Sequence, residues 1–577
     1  MRSPHHHPDG VSVRERGLMY DVVDSKPDAL LPDSLLPDAH LPLDSRLQVL
    51  APRTSFSRSA RKSTEDFSTK AEETPGDMHD EPLLRDMKKS AWQSGGWPTR
   101  RMILGVRACF IGLGGGTVSA IYRIILDESL EAVWKKLGPL TVATMGWDEC
   151  PWVYIVLACS VLGACTGGLI KLLGAPTANL PGVVLEVHRD GHLSNDVGQM
   201  VPISLCSIVA GGSLGPEAPL ISIGGGLASQ YALWCGLSEA ETLILTMCGM
   251  GAGLAAFFGD PVGGALFACE VLHRQGLEYY EAVVPTITAG LASNLAFRAI
   301  LNIESTPIVW HFPTESLLTA DGLNTSFTRC MAVLSINAPG LLYGCLGAIV
   351  AIIWMKGLNA AKRSMEPWAH WHLLKGAIGG LLIGLIGAVA PQVLFWGELE
   401  AQTLLDGKSE LPHVYPQIGI TGQQAHAFGA AGLFAVSLLK LLAINITILA
   451  GYRGGFIFPL MNAGIGIGSA IAMGLPLGTV SLSEAALSFA AAITTAVTRT
   501  VLATPLVLTS LTGRVELFPM MLIASIVSLH LTSHVAVITQ AQQRSMEGEY
   551  SVTRRDTRME GESPTRSFKI PSGPGAP

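Results

Sequence analysis

Apolar runs alternate with short polar breaks along most of this chain, and the runs are uneven in length. They cover roughly residues 102–126, 152–173, 198–211, 218–234, 241–258, 261–273, 281–301, 333–357, 372–395, 426–450, 456–474, 484–498, 500–512 and 516–538. A straight helix needs about 20 consecutive apolar residues to cross a bilayer. Several runs reach that length, while others are short or interrupted by Gly and Pro. An interrupted helix is tolerated at membrane depth only where its freed backbone groups face protein or a water-filled cavity. The pattern predicts an all-α integral membrane protein of tilted and broken helices, the architecture of a transporter or channel core.

The runs are bracketed by polar sequence, which sets the expected domains. Residues 1–98 are rich in proline, serine and charges of both signs, with an echo at Pro27-Asp28, Pro32-Asp33, Pro37-Asp38 and Pro42. Such composition buries too little apolar surface to fold alone, so a disordered N-terminal tail is expected. Residues 541–577 read as a second disordered tail, too short for an ordinary folded regulatory domain. Between them, 99–540 is the membrane domain, with halves at about 99–302 and 330–540. Lys88, Lys89, Arg100 and Arg101 precede the first run, and Arg544, Arg554 and Arg555 follow the last. The positive-inside rule then predicts both termini in the cytosol and an even number of crossings.

Composition narrows the function classes. The chain is 49% hydrophobic and 15% charged, against about 25% charged for soluble domains. Many of its 63 glycines fall inside apolar runs, as expected of closely packed membrane helices. A net charge of −7 argues against nucleic acid as a partner. The ten cysteines include no Cys-x-x-Cys pair and mostly sit in apolar runs, so they read as small buried hydrophobes. No His-Glu-x-x-His occurs, and a chain of apolar helical runs offers no strand-to-helix turn that would expose a nucleophilic serine, so no enzyme activity, metal site or cofactor is expected. A membrane-embedded enzyme or cation transporter is the alternative from another class.

The candidate chemistry lies in a repeated turn. Gly211-Gly212-Ser213-Leu214-Gly215-Pro216-Glu217 precedes a cluster at Gly224, Gly225 and Gly226. Gly454-Gly455-Phe456-Ile457-Phe458-Pro459 precedes Gly464, Gly466 and Gly468. Each is followed by an Ala-rich apolar segment and a second proline turn, at Asp260-Pro261 and Thr504-Pro505. Two such halves suggest an inverted repeat whose broken helices meet at the midplane. A glycine-rich turn that opens a helix presents free N–H groups at a positive dipole end, a site for an anion that needs no basic side chain. A third start of this kind is Asn179-Leu180-Pro181-Gly182.

At these residues the chain resembles the CLC family of chloride channels and proton/chloride exchangers. Gly451 to Pro459, preceded by Lys440 on an apolar helix, looks like the family's third anion-site loop. Gly211 to Pro219 looks like the second, and Thr177-Ala178-Asn179-Leu180-Pro181 stands where the first belongs. Ala255 through Glu270 resembles the segment after the second loop. The Ser-Leu-Gly-Pro-Glu spelling is similar to a branch known mainly as bacterial ion-transport proteins inferred from sequence. The resemblance covers about residues 100–540. It implies a CLC-like inverted repeat, a homodimer with one pore per subunit, and a small-anion site. That site would be built from Thr177, Ala178, Asn179, Leu180, Pro181, Ser213, Leu214, Gly215, Pro216, Gly455, Phe456, Ile457, Phe458 and Pro459.

Departures from the family pattern shape the functional expectation. Much of the family has a gating glutamate immediately before the second loop's Gly-Pro; here that position is Leu214, and the acid is Glu217. Glu217 reads either as a displaced gate or as a carboxylate satisfying the dipole of its own first turn. Exchangers carry an internal proton-passing glutamate where this chain has Val271, with Glu270 beside it. Glu270 reads either as a partner for a helix end or as a proton site, since an acid in a membrane helix usually has one role or the other. The first loop has Ala178 in place of serine, and no tyrosine lies between Pro519 and Ser545, where the resemblance expects a pore tyrosine. Passive anion conduction is the expected function, and a proton-coupled exchanger using Glu217 and Glu270 is the alternative. Asn324-Thr325-Ser326 fits a glycosylation acceptor, and Asp80-Glu81-Pro82-Leu83-Leu84 an acidic dileucine signal; neither chooses a membrane. His273 and Arg274 read as boundary anchors, and His5-His6-His7 as tail composition. No nucleotide-binding domain pair is expected after the last run, which argues against nucleotide regulation.

Overall fold

A computed structural model describes residues 97–174, 180–194, 196–272, 277–303, 309–312, 337–406, 429–475 and 481–535. Residues 1–96 of the N-terminal tail, the C-terminal tail, Thr177-Ala178-Asn179, His273-Arg274, the Asn324 acceptor and the dileucine segment lie outside these residues, while Trp97 and Pro98 begin the first helix.

The first half runs through α1 (Trp97–Leu130), α2 (Gly138–Met145), α3 (Trp152–Leu173), α4 (Leu180–Asp190), α5 (Val197–Val209), α6 (Glu217–Trp234), α7 (Glu239–Phe258), α8 (Pro261–Leu272) and α9 (Leu277–Leu301). The second runs through α10 (Pro339–Met365), α11 (His372–Val389), α12 (Glu398–Asp406), α13 (Ala430–Leu449), α14 (Ile457–Gly474), α15 (Leu482–Thr498), α16 (Ala503–Thr512) and α17 (Phe518–Leu531). Among the described residues, eight helical spans are long and apolar enough to cross a membrane. The apolar runs miss α2 and α12, and α4 is marked in the sequence only by its start at Asn179-Leu180-Pro181-Gly182. They also end the first helix at 126, whereas α1 continues to Leu130 and then through a π-helical turn, Glu131–Leu137. The continuation is polar, and Arg123 Nε bonds Asp127 one turn on at 2.8 Å, so the apolar pattern stops before the helix does.

The two halves repeat one arrangement. In the first, α6 packs antiparallel to α7, and α1 and α9 pack on α7; in the second, α14 packs antiparallel to α15, and α10 and α17 pack on α15. Each second helix opens on a serine that accepts a bond from a glutamate N–H three residues on, Ser238 from Glu241 and Ser481 from Glu484. Ser238 and Glu241 complete a capping box. The short third helices, α8 and α16, pack against each other.

Close packing depends on the glycines. In the antiparallel pair α3 and α11, a Cβ at Gly163, Gly167, Gly376, Gly380 or Gly384 would strike backbone of the facing helix. A lipid-facing helix has no hydrophobic reason to prefer another helix over lipid, so such small-residue contact is what joins the two. Much of the outer surface is apolar, including Phe110, Leu157, Leu295 and Ile353, while α6, α7, α14 and α15 are almost wholly buried at the centre. This is a multi-pass integral membrane protein, an inverted repeat of tilted and broken helices.

Candidate functional site

The second and third loops, one from each half, meet at a two-glycine bridge. Gly215 N–H donates to the Gly455 carbonyl at 2.8 Å, and Gly455 N–H to the Gly215 carbonyl at 2.7 Å. Around the bridge, Ser213 N–H donates to Thr447 Oγ1 at 3.2 Å, and Arg453 N–H donates to Ser207 Oγ at 3.0 Å. Leu214 packs over Gly454 and is 1% exposed. The loops are interlocked through backbone, so their geometry depends on glycine at the points of contact.

Glu217, the first residue of α6, lies directly at this bridge and is fully buried. Its Oε1 accepts the Phe458 N–H at 2.9 Å. The donor is one of the free amides at the start of α14, whose first residue is Ile457. A helix start of this kind is where an anion is most stabilised. The other carboxyl oxygen, Oε2, fills the space that a Cβ on either Gly215 or Gly455 would need. It is buried without a hydrogen-bond partner among the described residues, as is Ser213 Oγ. The carboxylate thus occupies the opposite half's amide cradle, instead of satisfying only its own first turn.

Aromatic side chains close one flank. The Phe458 ring sits 5.3 Å from Phe257, 5.6 Å from Phe258 and 6.0 Å from Trp310, centroid to centroid. Against Gly215 lies Trp396, whose Nε1 donates to Glu398 Oε2 at 2.8 Å. Arg123 reaches the same group, 3.7 Å from Glu398 and 5.7 Å from the centre of the Trp396 ring. The segment bearing Trp396 is held from below. Lys440 Nζ, fully buried, donates to the carbonyls of Val393, Leu394 and Phe395 at 3.0, 3.1 and 2.9 Å. Asn462 Nδ2 donates to the Gly397 carbonyl at 2.9 Å.

The remaining candidates divide. Gly215, Pro216, Gly455, Phe456, Ile457, Phe458 and Pro459 are all buried in the junction with Ser213 and Leu214. Leu180 and Pro181 open α4, which packs on α8, and the residues just before them are outside the described set. Glu270 is far along α8. Its Oε1 and Oε2 accept the Leu502 and Ala503 N–H groups at 3.0 and 3.1 Å, so it holds the start of α16. Val271 is buried.

Sequence reasoning missed Trp396, Arg123, Asn462 and Tyr122. Tyr122 is buried, bonds Ser204 through its hydroxyl at 2.9 Å, and lies within electrostatic reach of Glu217. The available signals were single polar or aromatic residues within apolar runs, which periodicity alone cannot assign.

Fold and junction together define a class: a membrane protein of two inverted halves whose loops meet at a buried point, where an amide at the start of α14 binds the carboxylate at the start of α6. Residues 162–533 match the family described as voltage gated chloride channel. The chain belongs to this CLC family. A chloride/fluoride channel protein of Pseudomonas syringae pv. tomato (strain ATCC BAA-871 / DC3000) is 26% identical over 437 residues, 74% of this chain and 84% of that protein. The solved structure of a slow cyanobacterial Cl−/H+ antiporter has the same fold, with a TM-score of 0.61 at 18% identity, covering 77% of this chain and 99% of that one. A CLC-type fluoride/proton antiporter gives a TM-score of 0.57 at 20% identity, over 78% and 99% of the two chains.

Proposed function

We propose that the protein carries chloride or a similar small anion passively across the membrane, with Glu217 as a gate that competes for the anion's own site. The bond from Phe458 N–H to Glu217 Oε1 supports this reading most directly. A carboxylate bound to a helix-start amide stands in for the transported anion. For the anion to bind there, the carboxylate must leave, and protonation favours its leaving because a neutral carboxyl loses most of the attraction to the dipole. Ser213 Oγ, buried in the same junction, is then available to donate to the anion.

Passive conduction is favoured over exchange because a proton path needs titratable groups on both sides of the gate. Val271 is apolar, and both oxygens of Glu270 accept backbone amides of the α16 start. Relatives named for anion channels, and CLC antiporters of the same fold, agree on a small-anion substrate class. In this reading two copies assemble as a homodimer with a pore in each, and both termini face the cytosol. The test is anion efflux from liposomes holding the purified protein, wild type against Glu217→Ala. Faster efflux in the variant supports the gate; slower efflux, with protein of normal fold, rejects it.

A further inference from the structure

A second feature lies away from the gate, where α10 ends, turns through Glu366–Trp368 and gives way to α11 at His372. A cavity of about 370 Å3 opens there, lined by Lys362, Arg363, Glu366, Lys375, Ile448 and Leu449 among others. Three cations face one acid, and two aliphatic side chains of α13 form the wall behind them.

Ordinary helix electrostatics explain only part of this cluster. Lys362 and Arg363 stand in the last turn of α10, where a cation complements the helix dipole. Lys375 stands in the first turn of α11, where a cation opposes it. Arg453 lies within electrostatic reach of Lys375 and adds to the repulsion, and its Nε is buried without a hydrogen-bond partner among the described residues. An anion in the cavity, between Lys362, Arg363 and Lys375, would relieve the conflict. The surroundings give the kind of anion. Trp368 and Trp371 are 49% and 57% exposed with ring centroids 5.9 Å apart, as indoles sit at a membrane–water boundary. Leu373 and Leu374 continue outward as exposed apolar surface.

We infer that this pocket binds the phosphate headgroup of an anionic phospholipid. Lys362, Arg363 and Lys375 hold the phosphate, and Ile448 and Leu449 lie against the base of an acyl chain. Basic pockets between helices at a membrane face bind such headgroups. Ile448 and Leu449 end α13 immediately before the Gly451–Pro459 loop, so an occupied pocket would steady the loop that carries the cradle. The inference rests on membrane embedding and not on the transport reading.

The test is thermal melting of the detergent-purified full chain with added dioleoyl phosphatidylglycerol, dioleoyl phosphatidylcholine or glycerol 3-phosphate. Phosphatidylglycerol should raise the midpoint by several degrees in a saturable way, while the other two leave it in place. Lys362→Gln/Arg363→Gln, both exposed positions, should need roughly tenfold or more phosphatidylglycerol for the same shift. Equal stabilisation by phosphatidylcholine overturns the proposal, as does an unchanged response in the variant. A shift produced by glycerol 3-phosphate alone also overturns it, in favour of a soluble anion site.

Discussion

The Glu217 carboxylate bonds the Phe458 amide at 2.9 Å across 241 residues of sequence, from the first turn of α6 to the first turn of α14. The acid that opens α6 therefore occupies the start of α14, its counterpart helix in the other half. Both halves build this contact, and neither holds it alone.

Removing the carboxylate should open the site. A hydrogen bond to a charged group contributes about 1.5–3 kcal/mol, so Glu217→Ala should raise anion flux roughly 10- to 100-fold. Wild-type flux should rise as pH falls, since protonation releases the carboxyl from the cradle. The variant should be nearly flat with pH. Flux recorded from pH 5 to 8 in both proteins checks the sign.

Gly455 and Gly215 should be intolerant of a side chain for one shared reason. A Cβ at Gly455 would lie 2.5 Å from Glu217 Oε2, and one at Gly215 would overlap the same oxygen. Overpacking of this kind costs about 1–3 kcal/mol. Part of that cost for Gly455→Ala should vanish in a Glu217→Ala background, because the struck atom is gone. Melting of both single variants and the double gives the coupling, expected at about 0.5–2 kcal/mol. Strict additivity would remove the carboxylate from this position.

Glu270→Ala should affect stability more than transport. Its carboxylate serves the first amides of α16 as a capping group does, an interaction of about 0.5–2 kcal/mol. A lower melting temperature with an unchanged pH profile of flux is expected. A shifted pH profile would return Glu270 to the proton path.

Lys440→Met should be among the most damaging single changes. Three buried carbonyls lose their donor, each at about 1–3 kcal/mol if left unmet, and only part is recovered by removing a buried charge. A sharp fall in the yield of folded, monodisperse protein should follow. Because the Val393–Phe395 segment leads to Trp396 and the Gly215 contact, any protein that survives should also show altered flux.

Much of this was legible in the residues. Glycine, proline and the apolar runs mark the broken helices, and the matched turns at Gly211–Glu217 and Gly454–Pro459 expose the repeat. The spelling of those turns carries the family. Sequence could not decide the partner of Glu217, since an acid in a first turn satisfies its own helix equally well on paper. Only the Gly215–Gly455 bridge brings the second helix start within reach. Lys440 looked like a family marker, yet it is the anchor of a segment 45–47 residues away. Trp396 and Glu398 are two residues apart, but Arg123 comes from α1, and no local pattern connects it to them. The helices α2 and α12 escaped because each is short or too polar to register as an apolar run, while α4 showed only as a helix start at Asn179-Leu180-Pro181-Gly182.

The most direct test of the central claim records chloride efflux and internal pH together, in liposomes holding the purified wild-type protein. A single carboxylate gate without a second proton site predicts chloride efflux that quickens at low pH and moves no protons against their gradient. Uphill proton movement driven by the chloride gradient, at a fixed ratio, would contradict passive conduction and make the protein an exchanger.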